Sequence, residues 1–188
     1  LGARLGQGAL RTIESARAAK NVEESVPETQ AVPDDSLGRA IHFLGNREWD
    51  KAETEIAVLL EKQSTDHRLL YIMSQIQLER DGAVAAAPWV ERLVDTAPDF
   101  APGLNLWAWV NAEQQTELSK AEGFARTALA NQPQVGDYWD TLGWILMLRG
   151  KHADAMPFLE RAVRMRPNDG AVRARRDSCR ATLEGALQ

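Results

Sequence analysis

The residue types that most often carry catalysis or bind metals are sparse in this chain and far apart. His42, His67 and His152 are the only histidines, and none has the spacing to a second histidine or a glutamate that a zinc site uses. The carboxylates Asp34 and Asp35 lie in a stretch that we interpret as a solvated linker, where no pKa tuning for acid–base catalysis is expected. Serine and cysteine nucleophiles lack a local signature. We therefore predict that the chain is not an enzyme and uses no metal or cofactor.

The single cysteine and the N-terminal glycines also give no indication of a catalytic or nucleotide-binding role. Cys179 excludes an intrachain disulfide framework and a cysteine-based zinc site, and its place in an apolar stripe indicates a small core residue rather than a reactive thiol. Gly2, Gly6 and Gly8 do not have the spacing of a phosphate-binding loop, and no Lys-Ser/Thr pair follows them. A nucleotide-binding function is therefore not expected.

The composition and net charge of the chain limit which kinds of partner are expected. The chain has 188 residues, 44% of them hydrophobic, which is enough for one domain with a continuous core. Its net charge of −5 gives no general attraction to nucleic acid or to an anionic membrane, and no apolar run approaches the ~20 residues that span a bilayer. We expect no nucleic-acid partner and no transmembrane segment. Because the chain begins at Leu1, there is room for a signal peptide, lipid anchor or further domain upstream, and both bacterial cytoplasm and envelope stay open as locations.

Small residues recur along the chain at a nearly constant interval. Ala155 is preceded by Ala121, Ala86 and Ala52, in steps of 34, 35 and 34 residues. A second small or apolar residue follows each of these alanines four positions later, which places both on one face of a helix. The residues at these later positions are Ile56, Val90, Ala125 and Leu159. Each repeat is therefore predicted to contain a helix whose small residue lets a neighbouring helix approach closely.

The last repeat contains the pattern of a complete αα-hairpin. Residues 138–167 read YWDTLGWILMLRGKHADAMPFLERAVRMRP; Gly150 can take the positive φ that ends the first helix, and Pro167 ends the second. This repeat resembles the tetratricopeptide-repeat family, whose hallmark is Trp-x-x-Leu-Gly-x-x-Tyr, then Ala-x-x-x-Phe, a further Ala and a Pro. The matching residues are Trp139, Leu142, Gly143, Leu146, Ala155, Leu159, Ala162 and Pro167.

The resemblance covers roughly residues 33–169 and weakens toward the N-terminus. The repeat at about 102–135 keeps Ala121 and Pro133 but has Asn105 and Trp109 where Trp and Gly are expected. The family implies an all-α fold, a right-handed superhelical array of about four helix-turn-helix repeats with a C-terminal capping helix. Pro88 and Pro157 are 69 residues apart and should both lie early in the second helix of a repeat.

The chain divides into two parts around this resemblance. Residues 1–35 read as an N-terminal amphipathic segment followed by an acidic linker, and residues 36–188 as the repeat domain. The cap is predicted at about 170–187, with one apolar stripe formed by Val172, Cys179, Leu183 and Leu187. We also hypothesise that Leu5, Leu10 and Ile13 dock on an apolar face of the repeats; the alternative is that residues 1–20 are a remnant without that role.

The resemblance also predicts where a partner binds, because the first helix of each family hairpin lines a concave groove. The family's clamp for C-terminal carboxylates needs Lys, Arg and Asn, and the matching places here are apolar or glycine, so that function is not carried over. The groove is predicted to suit an apolar helix or segment of a partner. The alternative is that these side chains pack between helices. The candidates are Leu37, Ile41, Tyr71, Gln75, Leu78, Leu106, Val110, Asp140, Trp144 and Met147.

The tryptophans and the C-terminal arginines give further expectations about the core and the partner-binding surface. Trp49, Trp89, Trp107 and Trp139 are expected to be core residues, whereas Trp144 is expected to face the groove as an interface anchor. The C-terminal arginines form either a solvated surface of the cap or a patch for an acidic partner. The residues of this candidate patch are Arg173, Arg176 and Arg180.

The sequence therefore favours a non-enzymatic interaction scaffold that binds a protein or peptide partner and supports assembly of a complex. Bacterial secretion, pilus and polysaccharide-export proteins carry repeats similar to the Asp-Thr-Leu-Gly-Trp run, so we expect an envelope-related assembly. The alternative function is a regulatory or targeting segment of a larger enzyme or receptor. Self-association also stays open.

Overall fold

A computed structural model describes residues 35–186, and these form nine α-helices and no strand. The expected docking of Leu5, Leu10 and Ile13, and the expected packing of Leu187, lie outside the described residues. The helices are α1 (Ser36–Gly45), α2 (Trp49–Lys62), α3 (His67–Asp81), α4 (Ala83–Thr96), α5 (Ala101–Gln114), α6 (Leu118–Asn131), α7 (Gly136–Leu148), α8 (His152–Met165) and α9 (Gly170–Gly185).

Consecutive helices pair into hairpins, which confirms the all-α repeat array. The chain forms two compact units, and their described parts are α1 to α4 and α5 to α9. Each unit contains two hairpins, and α9 follows the last hairpin of the second unit. No helix within residues 35–186 has the length and apolar character needed to cross a bilayer.

The repeated small residues form the contact between the two helices of each hairpin. Ala52, Ala86, Ala121 and Ala155 are all fully buried. In the last hairpin, a Cβ added to Gly143 of α7 would lie 2.7 Å from the Leu159 side chain, closer than any real contact. Only glycine allows α7 and α8 to approach this closely, so the glycine of the repeat motif is a packing requirement.

Aspartates begin three of the helices. Asp35 accepts a hydrogen bond from Gly38 N at 2.7 Å, Asp66 accepts one from Arg68 N at 2.9 Å, and Asp169 accepts one from Ala171 N at 3.0 Å. Each bond satisfies a backbone donor that has no partner inside the helix. Asp35 is thus the N-cap of α1, whereas the sequence had placed it in the linker.

The two prolines occupy the same place in their hairpins. Pro88 lies five residues after the start of α4, and Pro157 lies five residues after the start of α8. Both are in the second turn of the helix rather than at its first residue, so each removes one backbone hydrogen bond. Both side chains are exposed. The equal placement confirms the register predicted between the second helices of these hairpins.

The first helices do not all keep the 34-residue step. Gln115 (φ 53) follows α5 and Gly150 (φ 73) follows α7, and both donate a backbone hydrogen bond to the carbonyl three residues earlier. These two residues are 35 apart, whereas Ala121 and Ala155 are 34 apart. The turn between α5 and α6 therefore contains one additional residue, accommodated by a second positive φ at Glu117 (φ 48). Relative to α7, the residues of α5 are shifted by one from the positions that the repeat motif predicts.

The C-terminal helix packs on the last hairpin. Val172 and Cys179 of α9 are buried, and the Cys179 thiol donates a hydrogen bond to the backbone carbonyl of His152 at 3.3 Å. Leu183 is half-buried. Within the described part of the predicted stripe, the apolar side of α9 thus faces the protein, as a capping helix requires.

Candidate functional site

Two tryptophans lie side by side on the first helices of the second unit. The ring centroids of Trp109 (α5) and Trp144 (α7) are 5.9 Å apart with the planes inclined by 54°. Both side chains are half-buried. Short turns join α5 to α6 and α6 to α7, so α5 and α7 run in the same direction, and the 35-residue step brings the two rings together. This pair is the centre of what we call the inner face of unit 2, formed by Asn105, Trp109, Asp140, Trp144 and Arg175.

One helical turn before each tryptophan lies a buried polar residue. Asn105 precedes Trp109 by four positions, and Asp140 precedes Trp144 by four, so each pair shares one side of its helix. Asn105 and Asp140 are both 7% exposed. Because α5 and α7 run in the same direction, the amide and the carboxylate occupy equivalent levels of the two helices. The face therefore combines an aromatic surface with polar groups beneath it.

Arg175 of the capping helix α9 contacts two other residues of the inner face of unit 2. Arg175 of α9 forms an ion pair with Oδ2 of Asp140. Its guanidinium carbon also lies 4.5 Å from the centroid of the Trp144 ring, which is a cation–π contact. Arg175 thus joins the carboxylate and the indole of α7 to the cap.

The polar groups of this face are only partly satisfied. The Oδ1 atoms of Asn105 and Asp140 are buried, and neither accepts a hydrogen bond from any residue in the described part of the chain. Buried acceptors are nearly always paired in folded proteins, because an unpaired one retains its full desolvation cost. In the first unit, Oε1 of Gln75 has the same status. The second unit is distinctive because two such acceptors lie beside an aromatic pair.

Burial also changes the acidity of this site. It raises the pKa of the Asp140 carboxyl above the ordinary value, and the charge and hydrogen bond of Arg175 oppose this effect without cancelling it. The charge of Arg166 also lowers the pKa of Asp140 and that of Asp137 raises it, so this buried carboxylate, with one directly paired cation, retains a desolvation cost.

A second buried carboxylate in the same unit has the opposite surroundings. Glu122 of α6 accepts hydrogen bonds from Arg126 Nε at 2.9 Å and Lys151 Nζ at 3.1 Å, and it also pairs with Arg149. Burial acts to raise the pKa of Glu122, but the hydrogen bonds and charges together lower it below the ordinary value. Lys151 and Arg149 belong to the turn between α7 and α8, so this cluster ties the two hairpins of the unit together.

The residues predicted to line a groove fall into two classes. Leu37 is exposed, and Ile41, Trp144 and Met147 are half-buried, so their side chains reach the surface. The others are buried in the free chain, and their contact with a partner stays a prediction. These buried residues are Tyr71, Gln75, Leu78, Leu106, Val110 and Asp140.

Three members of the inner face of unit 2 were not among those candidates. Asn105 and Trp109 stood out in the sequence only as departures from the motif, because the 34-residue step assigned Leu106 and Val110 to the groove. The 35 residues between Trp109 and Trp144 are the signal that identifies them. Arg175 had no such signal, because the sequence does not show which arginine of the cap turns inward.

The remaining arginines of the cap point to local partners. Arg176 pairs with Asp177 at 2.7 Å, Arg180 lies 3.6 Å from Glu160, and Arg173 donates to the Pro167 carbonyl. Arg173 and Arg180 are exposed, and Arg176 is half-buried. These contacts fit a solvated helix surface, and a role of the three arginines in binding an acidic partner stays a prediction.

The other tryptophans are packing residues to different extents. Trp107 is fully buried and makes an edge contact with Phe124, with ring centroids 4.8 Å apart. Trp139 is half-buried beside Phe158 and donates a hydrogen bond to the Pro133 carbonyl at 2.8 Å. Trp49 and Trp89 are half-buried. Within residues 35–186, no group of three or more His, Cys, Asp or Glu is arranged to hold a metal ion.

Known proteins match both the sequence and the fold. A tetratricopeptide-repeat family model matches residues 111–170, which include α6, α7 and α8. This part of the chain is similar to tetratricopeptide repeats. The TPR repeat-containing protein PA4667 of Pseudomonas aeruginosa is 27% identical over 123 residues, or 65% of this chain and 21% of that protein. The chain therefore spans about a fifth of this relative's length.

Solved structures of repeat proteins share the fold at low sequence identity. MamA AMB-1 has a TM-score of 0.65 at 16% identity, over 81% of this chain and 91% of MamA. YrrB, described as a TPR protein with an unusual peptide-binding site, has a TM-score of 0.61 at 14% identity, over 73% of this chain and 70% of YrrB. At these identities the likeness establishes the helical repeat fold.

Proposed function

We propose that this chain is an interaction scaffold that binds a segment of a partner protein on the inner face of unit 2. The observation that carries the proposal is the half-buried pair of Trp109 and Trp144 on adjacent first helices. Tryptophans are enriched among the few residues that dominate binding energy at interfaces, because they bury a large rigid surface with few torsions. The similar fold of YrrB, described by its peptide-binding site, supports the same class of function.

The chemistry of the face suits recognition. The indole rings supply apolar area, and Asn105 and Asp140 supply acceptors that fix the orientation of a bound segment. Met147, which is half-buried at the end of α7, extends the apolar area by one helical turn. Apart from Asp140, the buried groove candidates of both units act in this proposal as the packing that holds the first helices in place. Leu37 and Ile41 remain separate candidates for contact in unit 1.

The test uses the full chain with both tryptophans replaced. Partners captured from the native lysate by the wild type are identified by quantitative mass spectrometry, purified and titrated directly. We expect Trp109→Ala with Trp144→Ala to weaken the affinity at least about tenfold, which is the scale of hot-spot losses. Trp89→Ala is the matched control, because Trp89 is also half-buried but lies in unit 1. Equal affinities of the double variant and the wild type would exclude the inner face of unit 2 as the binding site.

A second candidate function is favoured by the small fraction of the relative PA4667 that this chain covers. Because the match covers 21% of PA4667, the matched segment is one part of a longer polypeptide in that relative. We therefore keep the proposal that this chain is the regulatory or targeting segment of a larger protein, and an envelope-related assembly is one setting for either function. Sequencing the gene on both sides of these codons distinguishes them: a catalytic domain supports the segment, and a lipoprotein or secretion signal supports the envelope scaffold.

A further inference from the structure

We infer that the inner face of unit 2 takes a basic side chain of the partner, with Asn105 and Asp140 as acceptors and the indole rings of Trp109 and Trp144 beside it. This inference rests on the proposed function and adds the chemical class of the group that is bound. It departs from the sequence-based expectation of a wholly apolar partner, and it has the opposite polarity to a clamp for a carboxylate.

The first argument is the count of unpaired acceptors. Asn105 and Asp140 each present an oxygen that is buried and accepts no hydrogen bond from residues 35–186. A ligand that satisfies either oxygen must bring a hydrogen-bond donor to it. Guanidinium and ammonium groups are donor-only and carry several N–H bonds, so they fit both oxygens, whereas a carboxylate fits neither.

The second argument is the place that Arg175 already occupies. Its guanidinium pairs with Oδ2 of Asp140 and lies over the Trp144 ring at 4.5 Å. Carboxylate plus indole face is the environment that a bound arginine or lysine of a partner would require. Arg175 is therefore an internal stand-in, and a partner's basic residue displaces it or binds next to it on the remaining oxygens.

The third argument is electrostatic. The formal net charge of −5 arises within residues 1–96, and unit 2 carries equal numbers of basic and acidic residues, so the attraction for a cation at this site comes from the carboxylate of Asp140 itself. Burial raises the pKa of Asp140, and the charge and hydrogen bond of Arg175 oppose this only in part, so a further hydrogen-bond donor to the unpaired Oδ1 would stabilise the charged carboxylate.

The experiment compares four short apolar host peptides that differ only in the central residue, which is arginine, citrulline, leucine or glutamate. Each is titrated into the full chain by calorimetry and by the NMR shift of the tryptophan indole N–H groups. We expect the arginine peptide to bind on the order of tenfold tighter than the leucine peptide, and the glutamate peptide to bind weakest. Citrulline separates the two contributions, since it keeps N–H donors without the charge.

Two variants assign the preference to this face. Asp140→Asn should reduce the ratio of arginine to leucine affinity to about one, because the carboxylate is lost. Arg175→Met should increase that ratio several-fold, because the internal competitor is lost while the apolar stem is kept. Arg164→Met is the control, since Arg164 is an exposed arginine on α8, and it should leave the ratio unchanged. Folding of every variant is checked by circular dichroism, and indole shifts report the site even where stability falls.

The outcomes separate this inference from the proposed function. Equal binding of the arginine and leucine peptides, or a preference for glutamate, would overturn the basic-residue inference while leaving a partner-binding face in place. A preference for arginine that survives Asp140→Asn would also overturn it, because the cation would then bind elsewhere. If no peptide binds or shifts the indole signals, the basic-residue inference falls, whereas the proposed function is decided separately by titration of the captured partners against the double tryptophan variant.

Discussion

Two buried carboxylates of the second unit show how differently the same group is used. Glu122 has three cations around it, Arg126, Arg149 and Lys151, and its pKa is lowered. Asp140 forms an ion pair with Arg175 and is also influenced by the charges of Arg166 and Asp137. It retains an oxygen without a partner among the described residues, and its pKa is raised. The side chains are buried to nearly the same extent, 11% and 10% exposed, so the contrast comes from their partners.

The difference indicates where to look for a binding site in this helical repeat array. For a fully paired carboxylate, the surrounding ion pairs and hydrogen bonds offset the cost of desolvation, and the group holds helices together. Glu122 holds α6 to the turn after α7 in this way. An underpaired carboxylate stores an unmet interaction that a ligand can complete. Asp140 is therefore the better candidate for recognition, although it is the less stabilising of the two.

Deleting residues 170–188 should have the largest effect, because it removes Arg175 from Asp140 and leaves the Glu122 cluster intact. It also removes the buried Val172 and Cys179 of α9. We expect a loss of about 3 kcal/mol or more and a melting temperature lower by roughly 6–12 °C, with self-association through the uncovered apolar surface. Thermal denaturation and light scattering measure both. A monomer with an unchanged melting temperature would show that α9 is not a cap.

Replacing Glu122 by glutamine should have an intermediate effect on stability. The substitution removes the negative charge that three cations share, and we expect the unfolding free energy at pH 7 to fall by about 1–3 kcal/mol. Urea denaturation measures the loss. Glu113→Gln is the matched control, since Glu113 is an exposed carboxylate on α5, and it should change the free energy by less than about 0.5 kcal/mol. A Glu122→Gln protein as stable as the control would mean that the cluster does not hold the hairpins together.

Replacing Asp140 by asparagine should have the smallest effect at pH 7. The desolvation cost of the carboxylate disappears, the amide oxygen still accepts a hydrogen bond from Arg175, and the partly exposed guanidinium of Arg175 stays in contact with water. The pH dependence then distinguishes the two carboxylates. The folded pKa of Asp140 is raised, so the wild type gains stability relative to Asp140→Asn as pH falls through that value toward about 3.8. The folded pKa of Glu122 is lowered, so the advantage of the wild type over Glu122→Gln is present above about 4.5 and is lost as pH falls further.

The predicted pH dependence is tested by measuring the unfolding free energies of the wild type, Asp140→Asn and Glu122→Gln between pH 7 and pH 3. The contrast is supported if the stability difference between the wild type and Asp140→Asn and that between the wild type and Glu122→Gln change in opposite directions with pH. Parallel slopes would contradict it, because they would mean that both carboxylates are stabilised in their charged form.

The helical repeat could be predicted because its signals are local. Small residues at Ala121 and Ala155 must face a neighbouring helix, and the 34-residue step follows from that packing. The register of α5 could not be predicted in the same way. Its turn holds one additional residue, and the positive φ values fall on Gln115 and Glu117, whose side chains do not signal such a conformation as glycine does.

The proposed binding face could be predicted from the sequence only where it follows the repeat motif. Trp144 comes directly after Gly143, so its place on α7 could be counted from the repeat. Arg175 depends on how the cap is rotated on the last hairpin, which is decided by the buried Val172 and Cys179 and not by any spacing. Which acceptors remain unpaired is likewise a property of the assembled helices, since no sequence pattern records a missing hydrogen bond.

The thiol of Cys179 makes the docking of α9 measurable without any label being introduced. It is the only cysteine of the chain, it is fully buried against the backbone of His152, and burial raises its pKa. A disulfide reagent added to the native protein can react only when α9 lifts from the hairpin and the thiol ionises in water. The rate of that reaction therefore reports how often the cap opens, and with it how often Arg175 leaves the inner face of unit 2.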